Sequence, residues 1–307
     1  MRTPTPLLLA ATAVLYALNY PLGALALQSM SAFLMITLRF LVTAVVMWLV
    51  VLLVRPSLPQ GRAWWHAVGA GLLVQGAQFL GAYWAMSHGV GAGVTALIVA
   101  MNPVVVTLLT SILERRRDSW RSYGPVVLGA IAVILACVPR IARDPSLGAA
   151  ALAVVLALLG LAIGSVWQAR ALSDVSPVSF TAIGVTASFP LAAVFALSVP
   201  RRVDPGAHTW ALFVIVALVG LVGTTLYATS VRVVGPRRAS MMFAVIPALA
   251  AVGSWVLLDE PLDAGILIAL VLGCAACLWD LRRARTGSPQ VSVATVERES
   301  VSSDVRL

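Results

Sequence analysis

Lysine is absent from this chain, and acidic residues and cysteines are scarce: 12 Asp and Glu and three Cys among 307 residues. Charged residues of either sign make up 11%, against roughly a quarter in soluble domains. That scarcity excludes an ordinary water-soluble surface. Cys137, Cys274 and Cys277 all lie in apolar runs. They form neither a disulfide framework nor a zinc-ligand spacing, and read as packing residues. No Asp or Glu falls inside an apolar run, because Glu114, Asp259, Glu260 and Asp280 all stand at run ends. A carboxylate proton relay across a bilayer therefore has no residues. His66 and His88 also sit at run ends and read as interfacial groups. No phosphate loop, metal cluster or nucleophile–base pair can be found, so neither an enzyme nor a cofactor is expected.

What the chain has in abundance is apolar surface: 60% of its residues are hydrophobic and its mean hydropathy is +0.97. Crossing about 30 Å of hydrocarbon takes about 20 apolar residues. Runs of that kind lie near 6–27, 31–54, 64–87, 92–113, 123–138, 147–169, 177–199, 209–231, 238–258 and 262–281. The expectation is an all-α integral membrane protein with ten transmembrane helices. Arg2, the apolar stretch after it and Ala24-Leu25-Ala26 have the look of a secretory leader. Asn19, Tyr20 and Pro21 interrupt that stretch, so it is read as the first span.

Offsetting the chain by 144 residues aligns Gly76 with Gly220, Tyr83 with Tyr227, Gly91 with Gly235, Pro103 with Pro247 and Gly129 with Gly273. One register serves all five pairs, which implies a duplication: residues 1–143 and 144–285 as two five-helix repeats, with a disordered cytoplasmic tail over 286–307. An odd number of helices per half makes the repeats inverted. All 21 basic residues are Arg, with a formal charge of +9. Their concentration in alternate loops, at Arg55 and Arg62, Arg115 to Arg117, Arg232 to Arg238 and Arg282 to Arg285, obeys the positive-inside rule and points away from nucleic acid. It places the chain in the cytoplasmic membrane with both termini in the cytoplasm. Glu114-Arg115-Arg116-Arg117 and Asp259-Glu260-Pro261-Leu262-Asp263 occupy equivalent loops with opposite charge, as opposite membrane faces require.

Polar groups inside hydrocarbon turn towards a partner or a wet pathway. The candidates are Asn19 and Tyr20, with Tyr16, in the first span; Gln75, Gln78, Tyr83 and Trp84 in the third; Asn102 in the fourth; Trp167 in the sixth; and Thr224 and Tyr227 in the eighth. Each serves equally as a substrate contact or as a hydrogen bond between packed helices, and Tyr83, Trp84 and Tyr227 also suit the aromatic belt. Arg39 is the only charge well inside a span. It either snorkels outward or pairs with helix-end carbonyls, or else binds a carboxylate or gates the outer mouth. Pro103 and Pro247, near the middle of their spans, free backbone carbonyls and are read as paired structural or gating positions.

The equivalent stretches Ala96 to Glu114 (ALIVAMNPVVVTLLTSILE) and Ala239 to Glu260 (ASMMFAVIPALAAVGSWVLLDE) resemble the EamA-type drug/metabolite transporter superfamily. Each half has a Pro-containing helix, an acidic residue and a Gly-bearing closing helix: Pro103, Glu114 and Gly129, then Pro247, Glu260 and Gly273. Glu114 comes 11 positions after its proline and Glu260 comes 13 after its own, a departure that bears on the end of the fourth helix. The resemblance implies export of amino acids or similar small metabolites through a central cavity that opens alternately to each side. A carrier or flippase of lipid-linked substrates is the alternative. The expected partners are a small-molecule substrate and the lipid bilayer. Substrate identity, direction, coupling and oligomeric state stay open.

Overall fold

The computed structural model describes residues 5–114, 124–145, 147–260 and 264–286. The arginine-rich loop 115–123, the acidic loop 261–263 and the tail 287–307 lie outside the described residues. Among those described there are thirteen α-helices: α1 (Thr5–Leu27), α2 (Ala32–Val54), α3 (Arg62–Gly71), α4 (Gln78–Ser87), α5 (Ala92–Val99), α6 (Asn102–Leu113), α7 (Gly124–Arg143), α8 (Leu147–Ala171), α9 (Pro177–Ser198), α10 (Ala207–Val234), α11 (Pro236–Ser240), α12 (Ile246–Leu258) and α13 (Ala264–Thr286). The only β pairing among them is one isolated bridge, Met30 to Val203.

Among the described residues six segments are long and apolar enough to cross a membrane: α1, α2, α5 with α6, α8, α9 and α10. Between 39% and 56% of each is buried within the protein, and the outward faces are no more polar than the inward ones. Leu53 is 83% exposed and Val271 68%. Water would not support such a surface, whereas hydrocarbon does.

Three stretches expected as single helices are broken. Between α3 and α4 the residues Leu72–Ala77 form a π-helical turn, a wider winding that is uncommon and rotates the faces of the next turns of helix. Ala100 and Met101 separate α5 from α6, and a 3-10 turn at Met241–Ala244 separates α11 from α12. Pro103 and Pro247 stand in the first turn of α6 and α12 respectively. Proline has no N–H for a preceding turn to use and its fixed φ suits a helix start. Each proline therefore opens a new helix in mid-span, where the sequence suggested a position within one.

The packing pairs the two halves. Helix α2 lies on α9, α7 on α13, α1 on α10 and α12, α8 on α4 and α6, and α5 on α12. Where α3 meets α9, Gly71 and Gly184 touch through their backbones, closely enough that a Cβ on either would overlap the other. Small residues at such crossings let helices approach where no hydrophobic effect drives them together.

Candidate functional site

The polar groups of the spans gather around α1. Asn19 lies on its inner face and is 5% exposed, and Arg39 of α2 is 2% exposed. Arg39 Nη1 donates to Asn19 Oδ1 at 3.1 Å and to the Tyr83 hydroxyl of α4 at 3.2 Å. Tyr83 in turn donates to Asn19, its oxygen 3.4 Å from both the backbone carbonyl and Oδ1. The guanidinium carbon lies 4.1 Å from the centre of the Phe79 ring, a cation–π contact that strengthens where water is excluded. Arg39 therefore does not snorkel. Gly220 of α10 lies flat against the same guanidinium, and Gly23 of α1 leaves room for the Tyr83 hydroxyl.

A second network lies on the other side of Tyr16. The Tyr227 hydroxyl of α10 accepts from Asn102 Nδ2 at 3.3 Å and donates to Ser165 Oγ of α8 at 2.8 Å. Ser165 Oγ in turn donates to the Leu161 carbonyl at 2.6 Å. Tyr16 packs between the networks, its ring centre 5.5 Å from that of Tyr227 and 5.4 Å from that of Phe243. Tyr83 and Tyr227, aligned by the 144-residue offset, thus each bond a polar side chain on the first helix of their own half. Both are buried, so neither belongs to an aromatic belt.

Beside the Arg39 network lies about 150 Å³ of unfilled space, walled by Tyr16, Asn19, Arg39, Phe79, Gly220 and Thr224, among others, and too narrow as it stands for a water molecule. Tyr16 Oη, in its wall, has no hydrogen-bond partner, and neither do Tyr20 Oη, Gln75 Nε2, Gln78 Oε1, Asn102 Oδ1 and Gln168 Oε1 elsewhere among the buried groups of the spans. Gln75 sits in the π-helical turn beside Gly184. Tyr20 faces Gln78 too loosely to bond it. Thr224 spends its hydroxyl on the Gly220 carbonyl of its own helix at 2.8 Å.

The remaining candidates lie elsewhere. Trp84 stacks on His88 with ring centres 4.2 Å apart, and Trp167 donates to His66 Nδ1 at 3.1 Å. A second cavity, with about 300 Å³ of room for water, is lined by Thr107, Thr110, Ser111, Glu114, Arg170 and Gly235, among others. At the start of α5, Glu260 accepts the N–H groups of Ala92 at 3.0 Å and Gly93 at 3.4 Å. Phe79, Ser165 and Gly220 were not among the candidates. Phe79 and Ser165 carry no mark in an apolar sequence, and the Gly76–Gly220 alignment indicated that the glycine mattered without saying to which side chain.

Broken helices, a duplicated packing scheme and a buried polar centre are features of a transporter, and one comparison decides the family. The profile of the EamA-like transporter family matches residues 3–138 and again 148–280. This chain belongs to the EamA-like transporter family. As an EamA-like transporter it is a multi-pass membrane protein with a small-molecule substrate. No curated protein matches it. Among solved structures, one described as "Crystal structure of protein" is similar over 93% of this chain and 100% of its own, with a TM-score of 0.66 and 18% identity. At that identity the likeness is one of fold.

Proposed function

We propose that this EamA-like transporter exports small metabolites, amino acids or related amphipathic compounds, by alternating access through the space between two inverted five-helix halves, residues 1–143 and 144–285. The observation that carries the reading is the set of unpartnered buried polar atoms on spans of both halves, Tyr16 and Tyr20 of α1, Gln78 of α4, Asn102 of α6 and Gln168 of α8. Each such atom in a dry, hydrocarbon-surrounded interior costs free energy. A closed state of a cavity that binds polar cargo when open accounts for them.

Inversion has its own support. Moved by 144 residues, the α1–α10 contact becomes that of α8 with the α3–α4 rod, the α1–α12 contact becomes α8–α6, the α5–α12 contact becomes α11–α6, and α2–α9 and α7–α13 map onto themselves; all of these pairs are in contact. The connections obey the same rule. Ser31 N–H donates to the Arg202 carbonyl at 2.9 Å and Asp204 N–H to the Ser29 carbonyl at 2.8 Å, joining the α1–α2 and α9–α10 loops. At the equivalent place in the other half, Ser179 Oγ donates to the Ser57 carbonyl at 3.2 Å. In an inverted arrangement of ten spans with cytoplasmic termini, the first pair of loops faces outward and the second faces the cytoplasm.

Asn19, Tyr20, Arg39, Gln75, Gln78, Tyr83, Asn102, Thr224 and Tyr227 are the proposed substrate-binding groups, with Pro103 and Pro247 as the hinges. Trp84 and Trp167, though candidates by residue type, lie beyond this cluster and are proposed to support its ends. A flippase would need a polar lateral groove, whereas the membrane-facing groove between α2 and α9 is lined by Leu41, Val45, Trp48, Leu49, Leu52 and Phe189 with a single hydroxyl, Thr186. Counterflow in liposomes with a panel of amino acids, organic anions, nucleosides and organic cations tests the reading. Exchange of at least one class, altered by Asn19→Ala or Gln78→Ala, is expected. No exchange of any panel member by folded protein would overturn it.

A further inference from the structure

The central arginine has no matching negative charge. Arg39 is almost wholly buried, and its partners are an amide, a phenol and the face of a benzene ring, all neutral. Among the described residues no carboxylate lies within ion-pair reach of it; Asp204 pairs with Arg202 at the surface, 3.5 Å apart. The sequence supplies none either, since every Asp and Glu stands in a loop or at a span end. Arginine keeps its proton at any physiological pH. A lone charge at this depth is expensive and is retained where it pairs in function.

The space beside the guanidinium sharpens the point. Its walls are Leu15, Tyr16, Asn19, Phe79, Val219, Gly220, Gly223 and Thr224 in addition to Arg39. One cation faces it and no anion does. An anionic head placed there meets Arg39, and an apolar body meets the leucine, valine and phenyl groups. An ammonium group would meet the like charge of Arg39 and otherwise neutral atoms, with the aromatic face of Phe79 already covered by the guanidinium.

Resting on the transporter reading above, we infer that the preferred cargo is a small monoanion, held by Arg39, which crosses without a compensating proton and so carries one negative charge through the membrane. Over a full cycle the arginine returns to its starting position, and the net charge moved is that of the cargo. Among the described residues no buried Asp, Glu or His lines the site to exchange a proton on the way. Transport is then electrogenic, and an inside-negative potential drives the anion outward. This narrows the cargo from amphipathic metabolites in general to acids that carry no balancing amine, and accounts for a cavity with a single charged wall.

The full-length protein in liposomes, with potassium gradients and valinomycin setting the potential, tests this. Radiolabelled benzoate and lactate stand for organic monoanions, chloride for inorganic ones, and phenylalanine for a zwitterion. The expected result is benzoate or lactate flux whose final distribution shifts about tenfold for each ~59 mV imposed, with negative charge moving in the direction of the flux. Chloride moving alone in the same manner would identify an inorganic monoanion as the cargo and would still support the inference. Arg39→Gln should lower that flux at least tenfold in protein that remains monodisperse, and Arg39→Lys, which keeps the charge, should retain more. Phenylalanine flux without current, alongside exclusion of the anions, would overturn the inference while leaving the transporter reading intact. Anion flux unaffected by potential, or unchanged in Arg39→Gln, would overturn it as well. No flux of any solute would instead count against transport itself.

Discussion

Gly220 of α10 and Arg39 of α2 share one volume: the guanidinium fills the space that any β-carbon at position 220 would need. The contact crosses from one half of the molecule to the other, and the 144-residue offset places Gly76 as the counterpart of Gly220. Glycine is required here for its lack of a side chain.

Gly220→Ala should therefore destabilise the protein by about 1–3 kcal/mol, the usual cost of overpacking, and lower transport. Arg39→Ala in the same chain should recover much of the stability while leaving transport lost. Unfolding midpoints in detergent for the two single variants and the double variant give the coupling directly.

A second close approach makes an independent prediction. Because the backbones of Gly71 and Gly184 touch, Gly184→Ala must push α9 away from the end of α3. Lower unfolding midpoints are expected for Gly184→Ala and a larger drop for Gly184→Val, whereas Gly148→Ala, where a β-carbon meets only Ile141 Cγ2 at 3.8 Å, should change little.

Tyr227→Phe removes the acceptor of Asn102 Nδ2 and the donor to Ser165. Asn102 would then have neither end of its amide bonded, since Oδ1 already lacks a partner. A buried polar group left without a partner costs about 1–3 kcal/mol. Pairing the change with Asn102→Leu should soften it, and thermal unfolding of the two variants compares them.

Glu260 ties the end of α12 to the first N–H groups of α5, acting as an acidic cap at a helix start. Glu260→Ala should cost about 1 kcal/mol, typical of a lost cap, and Glu260→Gln, which keeps an acceptor, should cost less. Hydrogen exchange at Ala92 and Gly93 should rise in the alanine variant before exchange elsewhere.

Which of these features could be read in the residues themselves depends on what marks a position. Pro103 and Pro247 declared themselves because proline cannot occupy a helix interior without consequence and because they align under one offset. The runs announced their own lengths. Orientation around each helix was another matter. In a soluble helix a polar face points outward and reveals the buried side, but here hydrocarbon lies outside and packed side chains lie inside, and both favour the same residues. Arg39 could therefore be placed on its helix but not aimed. Phe79, Ser165 and Gly220, which form its surroundings and the adjoining network, are ordinary residues for a membrane helix. The π-helical turn at Leu72–Ala77 was equally silent, for no proline or charge accompanies it.

The most direct test of the account is the sidedness of Glu114 and Asp259, the residues immediately after α6 and α12 in the two halves. Each would be replaced by cysteine in a chain whose Cys137, Cys274 and Cys277 have been changed to alanine, and labelled with a membrane-impermeant maleimide. The account predicts that Asp259→Cys reacts on intact cells and Glu114→Cys only after permeabilisation. Reaction of both from the same face would contradict it.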